Sequence, residues 1–478
     1  MKNYINSIQF EYRKQNIPLQ LFDSDEYHFG IVKIQMNKNE TIQPKSHIHF
    51  VFSVDCSGSM SDLCSDNRTK MQHIKYTMEN MIRVFSEKTN CIISMHVNTF
   101  DTEVNNIIYN TEVNKDTMYN MIEQINNIYP RDMTNIEVAL KTASEDISAY
   151  KEDNASIVHI LLTDGTPTIG STDADYLKTL ISSEYQNILI GYGKHHDAHF
   201  MSELASNPKD VYLFIDALEK AGLVYGEIIH NILYKLIENV TLTTMDCEIY
   251  DYKTNTWGHT LYVGEMVSEM EKIYHIRSKM PKCSSIQLEG KILSHHIQEI
   301  VLLPTSFEED LTKYIFRQRT QELLYETKVF SKHTLKPRNN IKPKLLPHKR
   351  NNFLTESIEE LALYVPQNKP EPEIKTKLYE HFQRMTEYIK EHHLENDKFL
   401  KMLCDDMFIN YEMIGKEELG LYSCARQTSQ GRQTSYTPSS NIFSPNYRVS
   451  NSIDDSPYST QGVIETMNII SGDIFDSL

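Results

Sequence analysis

The chain reads as an α/β protein: a doubly wound, mainly parallel sheet, then a small antiparallel β-domain and a helical C-terminal region. Three observations carry this. Between Ile48 and about Ile215, continuously apolar runs alternate with amphipathic helical stretches, the pattern of strands covered by helices on both faces. Between Val240 and Leu303 the apolar runs become short, alternate with polar residues and are punctuated by Asn255, Gly258 and Gly264, as in hairpins. From residue 307 onward the apolar spacing is again helical.

Each element follows from its own pattern. Tyr27–Met36 alternates, with Phe29, Ile31 and Ile34 apolar, and predicts a strand outside the main sheet; residues 1–20 read as a leader. Ile48–Val54 is an apolar strand. Arg68–Glu87 carries Met71, Ile74, Met78, Met81, Ile82 and Phe85 on one helical face. Cys91–Phe100 and Val104–Tyr109 predict a hairpin, and Lys115–Asn126 and Asn135–Tyr150 two helices. Ser156–Leu162, Asn187–Tyr192 and Val211–Ile215 are apolar strands, with helices at Ala174–Ser183 and Ala198–Ala205. Ala217–Ile237 predicts one long helix. Cys247–Tyr250, His259–Val263, Lys272–Ile276, Ser285–Leu288 and Glu299–Leu303 predict the β-domain strands. Residues 307–329, Phe353–Tyr364, Ile374–His393 and Phe399–Met413 predict helices. Ser331–Arg350 is basic and without an acid, and reads as an exposed linker; from about Ser423, Ser, Thr, Gln and Asn dominate, the composition of a disordered tail. The resulting division is 1–45 leader and flanking strand, 46–222 α/β domain, 223–305 linking helix and β-sandwich-like domain, 306–420 helical region with a basic linker at 331–352, and 421–478 polar tail.

Composition narrows the function classes. A net charge of −17 argues against a nucleic-acid partner, which calls for a basic footprint. The seven cysteines are scattered without a CxxC pair, so neither a zinc site nor a disulfide framework is expected; free thiols in a reducing compartment are. No apolar run approaches the ~18 residues of a membrane span. The N-terminus lacks the apolar core of a signal peptide. The expectation is a soluble, cytoplasmic protein.

The chemistry gathers at three strand ends. Asp55-Cys56-Ser57-Gly58-Ser59 follows the first core strand, Asp132-Met133-Thr134-Asn135 precedes the third helix, and Thr163-Asp164-Gly165 follows the next parallel strand. In a doubly wound sheet these loops share one edge, at the carboxyl ends of adjacent strands. Together they offer Asp55, Ser57, Ser59, Thr134 and Asp164, an all-oxygen donor set suited to Mg²⁺, with Mn²⁺ as the alternative. Hydroxyl donors leave much of the ion's charge uncompensated, so a partner carboxylate could replace a water. Read alone, small polar residues after a strand are ordinary turn and cap chemistry.

This set resembles the von Willebrand factor A (VWA) domain and its metal-ion-dependent adhesion site, whose pattern is DxSxS, a distant Thr, and a distant Asp followed by Gly. The resemblance implies a Rossmann-like fold in which Ser57, Ser59 and Thr134 bind the metal through hydroxyls and Asp55 and Asp164 act directly or through water. It implies a non-enzymatic module that grips an Asp or Glu carboxylate of a protein partner, the alternatives being a metal-independent scaffold or a non-catalytic part of a ubiquitin-related complex. Tyr212-Leu213-Phe214-Ile215-Asp216, Val263-Gly264-Glu265, Tyr274-His275-Ile276 and Cys424–Arg432 are similar to a eukaryotic group with a VWA-integrated β-domain. Some members of that group add a RING finger, whose cysteine–histidine framework this sequence lacks.

Other candidates are read as structural. Asp62 could mark a neighbouring cation site but reads as an exposed loop acid. His195-His196-Asp197-Ala198-His199 lacks the HExxH glutamate and reads as a solvated loop. Gly191-Tyr192-Gly193-Lys194 is no P-loop, and Ser57 and Ser59 lack a G-x-S-x-G elbow. His96 and His159 fall on core strands, where a satisfied structural histidine is expected rather than a catalytic base.

Overall fold

A computed structural model describes residues 5–13, 27–38, 47–131, 133–150, 155–217, 220–279, 285–292, 295–302, 310–334, 372–439, 447, 449 and 456–472. The predicted helix Phe353–Tyr364, most of the basic linker and Asp132 lie outside these residues.

The central sheet has six strands: β3 (His47–Asp55), β4 (Ile92–Phe100), β5 (Val104–Glu112), β6 (Ala155–Thr163), β7 (Gln186–Tyr192) and β8 (Val211–Ile215), in the order β5-β4-β3-β6-β7-β8. Only the β4–β5 hairpin is antiparallel. Both faces are covered, so the central strands β3, β6, β7 and β8 are mostly apolar, whereas the edge strand β5 is largely polar. Phe50, Phe52, Val54, Ile160 and Ile190 join α1 (Lys70–Ser86), α2 (Met118–Asn126) and α6 (Ala221–Leu233) in one core. Leu161, Leu189 and Phe214 face the other way, toward α3 (Ile136–Ala149), α4 (Ala174–Lys178) and α5 (Ala198–Leu204).

The β-domain is two facing sheets. One is β1 (Ile5–Arg13), β2 (His28–Met36), β13 (Glu271–Ser278), β10 (Glu248–Asp251) and β11 (Thr256–Gly258); the other is β12 (Thr260–Val267), β9 (Lys235–Thr244), β14 (Ser285–Ile292) and β15 (His295–Leu302). Val32, Ile34, Ile249 and Ile276 meet Ile237, Leu242, Leu261 and Leu288 between them. The strand predicted at Tyr27–Met36 is therefore outside the main sheet, paired with β13 at a sequence distance of more than 230 residues. Ile5–Arg13, expected in a leader, is a strand.

Three expectations are corrected. The long helix Ala217–Ile237 stops at Leu233; Leu236 and Ile237, which extend its apolar stripe in sequence, belong to β9 and point into the sandwich. The polar tail carries two ordered helices: α10 (Leu419–Arg432) is buried along most of its length, and α11 (Gln461–Ser471) lies on α6. Gly222 and Gly226 make that second contact possible, since a Cβ at Gly226 would stand 2.4 Å from Met467 Cα. Lastly, Cys247 is disulfide-bonded, whereas Cys56, Cys91, Cys404 and Cys424 are free thiols. The composition argument for a reducing compartment loses force accordingly. In the C-terminal region, α7 (Thr312–Thr334), α8 (Glu373–Glu391) and α9 (Lys398–Met413) fall at the predicted helices, with α7 running on through Ser331, which is buried, into the segment read as an exposed linker.

The sheet's histidines are structural. His159 sits between Ser53 Oγ and Asn187 Oδ1, 3.0 Å from each. Burial pushes its pKa down to about 4 and that of His49 to about 3. Because the native state resists a proton that the unfolded chain accepts below ~6.5, this stabilisation is complete above that pH and is lost as pH falls toward 4. His159→Gln is expected to flatten urea-unfolding stability between pH 6.5 and 4.5 by up to ~1.4 kcal/mol per pH unit; an unchanged slope contradicts the assignment.

Candidate metal centre at the sheet edge

β3 and β6 are adjacent and in register, so Asp55 and Thr163 end side by side. Thr163 Oγ1 donates to Asp55 Oδ2 at 2.6 Å, and the Ser57 amide to Asp55 Oδ1 at 2.8 Å. The second bond is the side-chain-to-backbone closure that makes aspartate a turn-former. The chain then enters a short 3-10 turn, Gly58–Ser61, pinned by fully buried Met60. This folds Ser57 and Ser59 back together, with their hydroxyls 3.0 Å apart. Ser59 Oγ donates to Asp164 Oδ1 at 2.7 Å. Four of the five predicted residues thus form one hydrogen-bonded cluster.

Thr134 joins it from the third loop. Its amide donates to Thr168 Oγ1 at 2.9 Å, and its carbonyl accepts from the Thr168 and Ile169 amides at 2.9 and 3.3 Å. Its hydroxyl lies 3.7 Å from where a Cβ would stand on Gly165, the neighbour of Asp164. Asn135 follows immediately and caps α3 through the Val138 amide. Asp55, Ser57, Thr134 and Asp164 are all buried.

Burial is also the main reason that the Asp55 carboxyl is raised to about 6; bonds from Thr163 and Ser57 oppose the shift and the charge of Asp164 adds to it. A buried carboxylate held above its ordinary range favours a nearby cation.

Sequence reasoning missed Lys70. Its ammonium lies 2.6 Å from Asp164 Oδ2 and 3.1 Å from Asp62 Oδ2. Asp62 is thus the exposed loop acid expected, engaged with a lysine. Lys70 is the first residue of α1, after a capping box in which Thr69 and Gln72 exchange bonds. A cation at a helix N-terminus opposes the helix dipole. Burial disfavours its charge as well, yet the hydrogen bonds and charges of Asp164 and Asp62 outweigh this and hold its pKa above the ordinary lysine range. The available signal was a lysine opening a helix within the loop cluster.

The remaining candidates resolve into packing. His196 is buried rather than solvated: it meets the Tyr212 hydroxyl at 2.6 Å and lies over Gly191, where a Cβ would stand 2.2 Å from its ring. Asp197 caps α5, and His199 bonds Ser331 Oγ at 2.9 Å. His96 bonds Asn110 and Asn106. Among the described residues there is no group of three or more His, Cys, Asp or Glu side chains arranged to hold a metal; the sheet-edge cluster has two carboxylates and draws its other oxygens from hydroxyls.

An open α/β sheet with its polar cluster at the carboxyl ends of parallel strands defines the class of domain. Residues 49–225 match the sequence model of the von Willebrand factor type A domain, and the chain carries such a domain there. Such domains are commonly protein-interaction modules. Among solved structures the chain is similar to a von Willebrand factor type A protein from Catenulispora acidiphila, with 14% identity and a TM-score of 0.48 over 69% of this chain and 83% of that one. It is similar to the ArnB paralog VWA2 from Sulfolobus acidocaldarius, with 14% identity and a TM-score of 0.49 over 89% and 98%. Proximal thread matrix protein 1 from the mussel byssus, with a zinc-occupied MIDAS motif, has 18% identity and a TM-score of 0.33 over 41% and 50%. No curated protein matches the chain. Among the described residues no helix is long and apolar enough to cross a membrane.

Proposed function

We propose that the A domain is a non-enzymatic, divalent-cation-dependent protein-binding module. Ser57, Ser59 and Thr134 would hold Mg²⁺ through their hydroxyls, with Asp55 and Asp164 contributing directly or through water. The observation that carries this reading is the Ser57–Ser59–Asp164 chain of oxygens, closed by an ammonium on Asp164. The cluster already attracts positive charge, and its hard oxygen donors suit a hard cation. When bound, the metal supplies a Lewis-acidic position that an Asp or Glu of a partner can ligate. Thr163 and the Ser57 amide orient the Asp55 carboxylate, and the straps from Thr168 and Ile169 hold Thr134 in place. The buried histidines of the sheet have structural partners, which supports attachment over catalysis. The β-sandwich that follows α6 fits the type with an integrated β-domain. Partner capture from lysate with the full chain, with and without EDTA, tests the reading: capture should be lost in EDTA and restored by Mg²⁺. Capture indifferent to EDTA, Asp55→Ala and Thr134→Ala sinks it.

Lys70 favours a second reading, a scaffold that needs no metal, because its ammonium compensates Asp164 unaided. One variant separates the two. At ~4 Å and an effective dielectric of ~20, a unit charge repels another by ~4 kcal/mol, before screening. If metal and Lys70 share Asp164, Lys70→Met should tighten Mg²⁺ binding at least tenfold in calorimetry. It should also lower thermal stability in EDTA, since Asp164 is then left unpaired. No Mg²⁺ or Mn²⁺ binding in either protein, with the fold intact, favours the scaffold.

A further inference from the structure

A second polar site lies far along the chain from the sheet edge. Where the A domain, the β-sandwich and helices α7 and α10 meet, they enclose a cavity of about 120 Å³. Binding cavities are frequent at such junctions. An apolar cavity of roughly 150 Å³ admits benzene, so a tetrahedral oxyanion fits this one by size.

Its lining carries more bases than acids. Four basic residues reach it: Lys253, Lys272, Arg317 and Arg432. Three acids do too; their charges offset those of Lys272 and Lys253 in part, and their oxygens already hold other donors. Glu227 accepts the Ser435 and Tyr436 amides, Asp251 the Lys253 amide and the Thr254 hydroxyl, and Glu265 lies 3.6 Å from Lys235. Among the bases, Arg317 donates to the carbonyls of Ile273 and Gln430, and Lys253 to those of Asn207 and Pro208. Lys272 donates to the Arg432 carbonyl. The Arg432 guanidinium makes no hydrogen bond or ion pair among the described residues. Its charge nonetheless reaches Lys253, Lys272, Tyr252, Tyr262 and Tyr274, all on the cavity wall.

Enclosed like charges of this kind are costly unless an opposite charge joins them. Lys272 registers the cost: burial first, then the nearby Arg432, bring its pKa down to about 7. Arginine's planar fork is the side chain best matched to a phosphate oxyanion, with lysine beside it as a point charge. We infer that the junction cavity is an anion site, in which Arg432 and Lys272 bind a phosphate-sized oxyanion, either the free ion or the terminal group of a small phosphomonoester.

The site is independent of any metal at the sheet edge, so its test is run on the full chain in EDTA. Inorganic phosphate and glycerol phosphate are titrated separately by calorimetry and thermal shift, against KCl at matched ionic strength. A saturable rise in melting temperature is expected with phosphate or its ester and not with KCl, since a ligand selective for the native state stabilises it by mass action. Tighter binding of inorganic phosphate identifies the free ion, and tighter binding of the ester identifies the esterified group. Arg432→Gln should weaken binding at least tenfold, and Arg432→Lys should retain more of it than the glutamine variant. Phosphate binding that is absent, matched by KCl, or equal in wild type and Arg432→Gln overturns the inference. Should Arg432→Gln fail to fold, the wild-type titrations and Arg432→Lys still decide.

Discussion

Asp55→Ala is expected to reduce Mg²⁺ and Mn²⁺ affinity by at least a hundredfold. Asp55 is fully buried at the end of β3, and both its carboxylate oxygens are fixed, one by Thr163 and one by the Ser57 amide. That fixation makes the carboxylate a positioned charge rather than a mobile one, and it also shapes the turn that brings Ser57 to Ser59. Truncation therefore removes a negative charge and releases a hydroxyl and an amide donor at once. It leaves the Thr163 hydroxyl and Ser57 amide without their acceptor, at about 1–3 kcal/mol each. Relief from burying the carboxylate offsets part of this, so the folded state should survive. Thr134→Ala is the informative companion: it takes away one neutral oxygen and leaves the backbone straps of that loop in place. Its affinity should fall less, roughly tenfold. Calorimetric titration of both variants, with circular dichroism to verify the fold, checks the pair. Wild-type affinity in Asp55→Ala would remove the metal from this site.

The parts legible in sequence were those whose pattern is local. The core strands are apolar on both faces, so β3, β6 and β7 announced themselves, and with them the edge on which Asp55 and Asp164 sit. The loops could be assembled because parallel strands in one sheet end on one side. Lys70 was not legible, because its part depends on the distance from a helix N-terminus to Asp164, across 94 residues of chain. β1 escaped because its pairing with β2 is not signalled by its own composition. Leu236 and Ile237 misled for the opposite reason: the apolar stripe of α6 continues by chance of spacing into β9, and only the sandwich core separates the two. The polar segment after Ser423 is the sharpest failure. Composition treats Ser, Thr, Gln and Asn as solvent-seeking, yet buried polar side chains are stable when most of their polar atoms find partners. Gln427 donates to the Tyr252 carbonyl, Gln430 to Asp406, and Arg426 to Asp406 and the Pro438 carbonyl. These partners lie at other places in the chain and leave no mark on the composition of α10.

That network sets the largest expected stability effect. Arg426 and Asp406 are both almost wholly buried, and they form an ion pair between α10 and α9. Burial pushes the Asp406 carboxyl up to about 6 even with the Arg426 charge and hydrogen bond opposing it, so the aspartate depends on its arginine to remain ionised at neutral pH. Arg426→Met keeps much of the side-chain volume but strands the carboxylate in the interior. Breaking one partner of a buried pair destabilises by about 3–5 kcal/mol, and the lost donation to the Pro438 carbonyl adds to it. Urea unfolding at pH 7 should show a loss of that order. Asp406→Leu alone should also be costly, because it leaves a buried guanidinium. The double variant should lose clearly less than the two losses added, since replacing the whole pair removes the desolvation penalty together with the attraction. A loose tail would give a different pattern: Arg426→Met would fall within the ~0.5 kcal/mol typical of surface changes. Phe214 of β8 stacks edge-on against Tyr422 of α10, with ring centroids 5.5 Å apart. Loss of the ion pair should therefore loosen the β8 edge of the A-domain sheet as well, which hydrogen exchange at Tyr212–Phe214 would register as faster exchange in Arg426→Met.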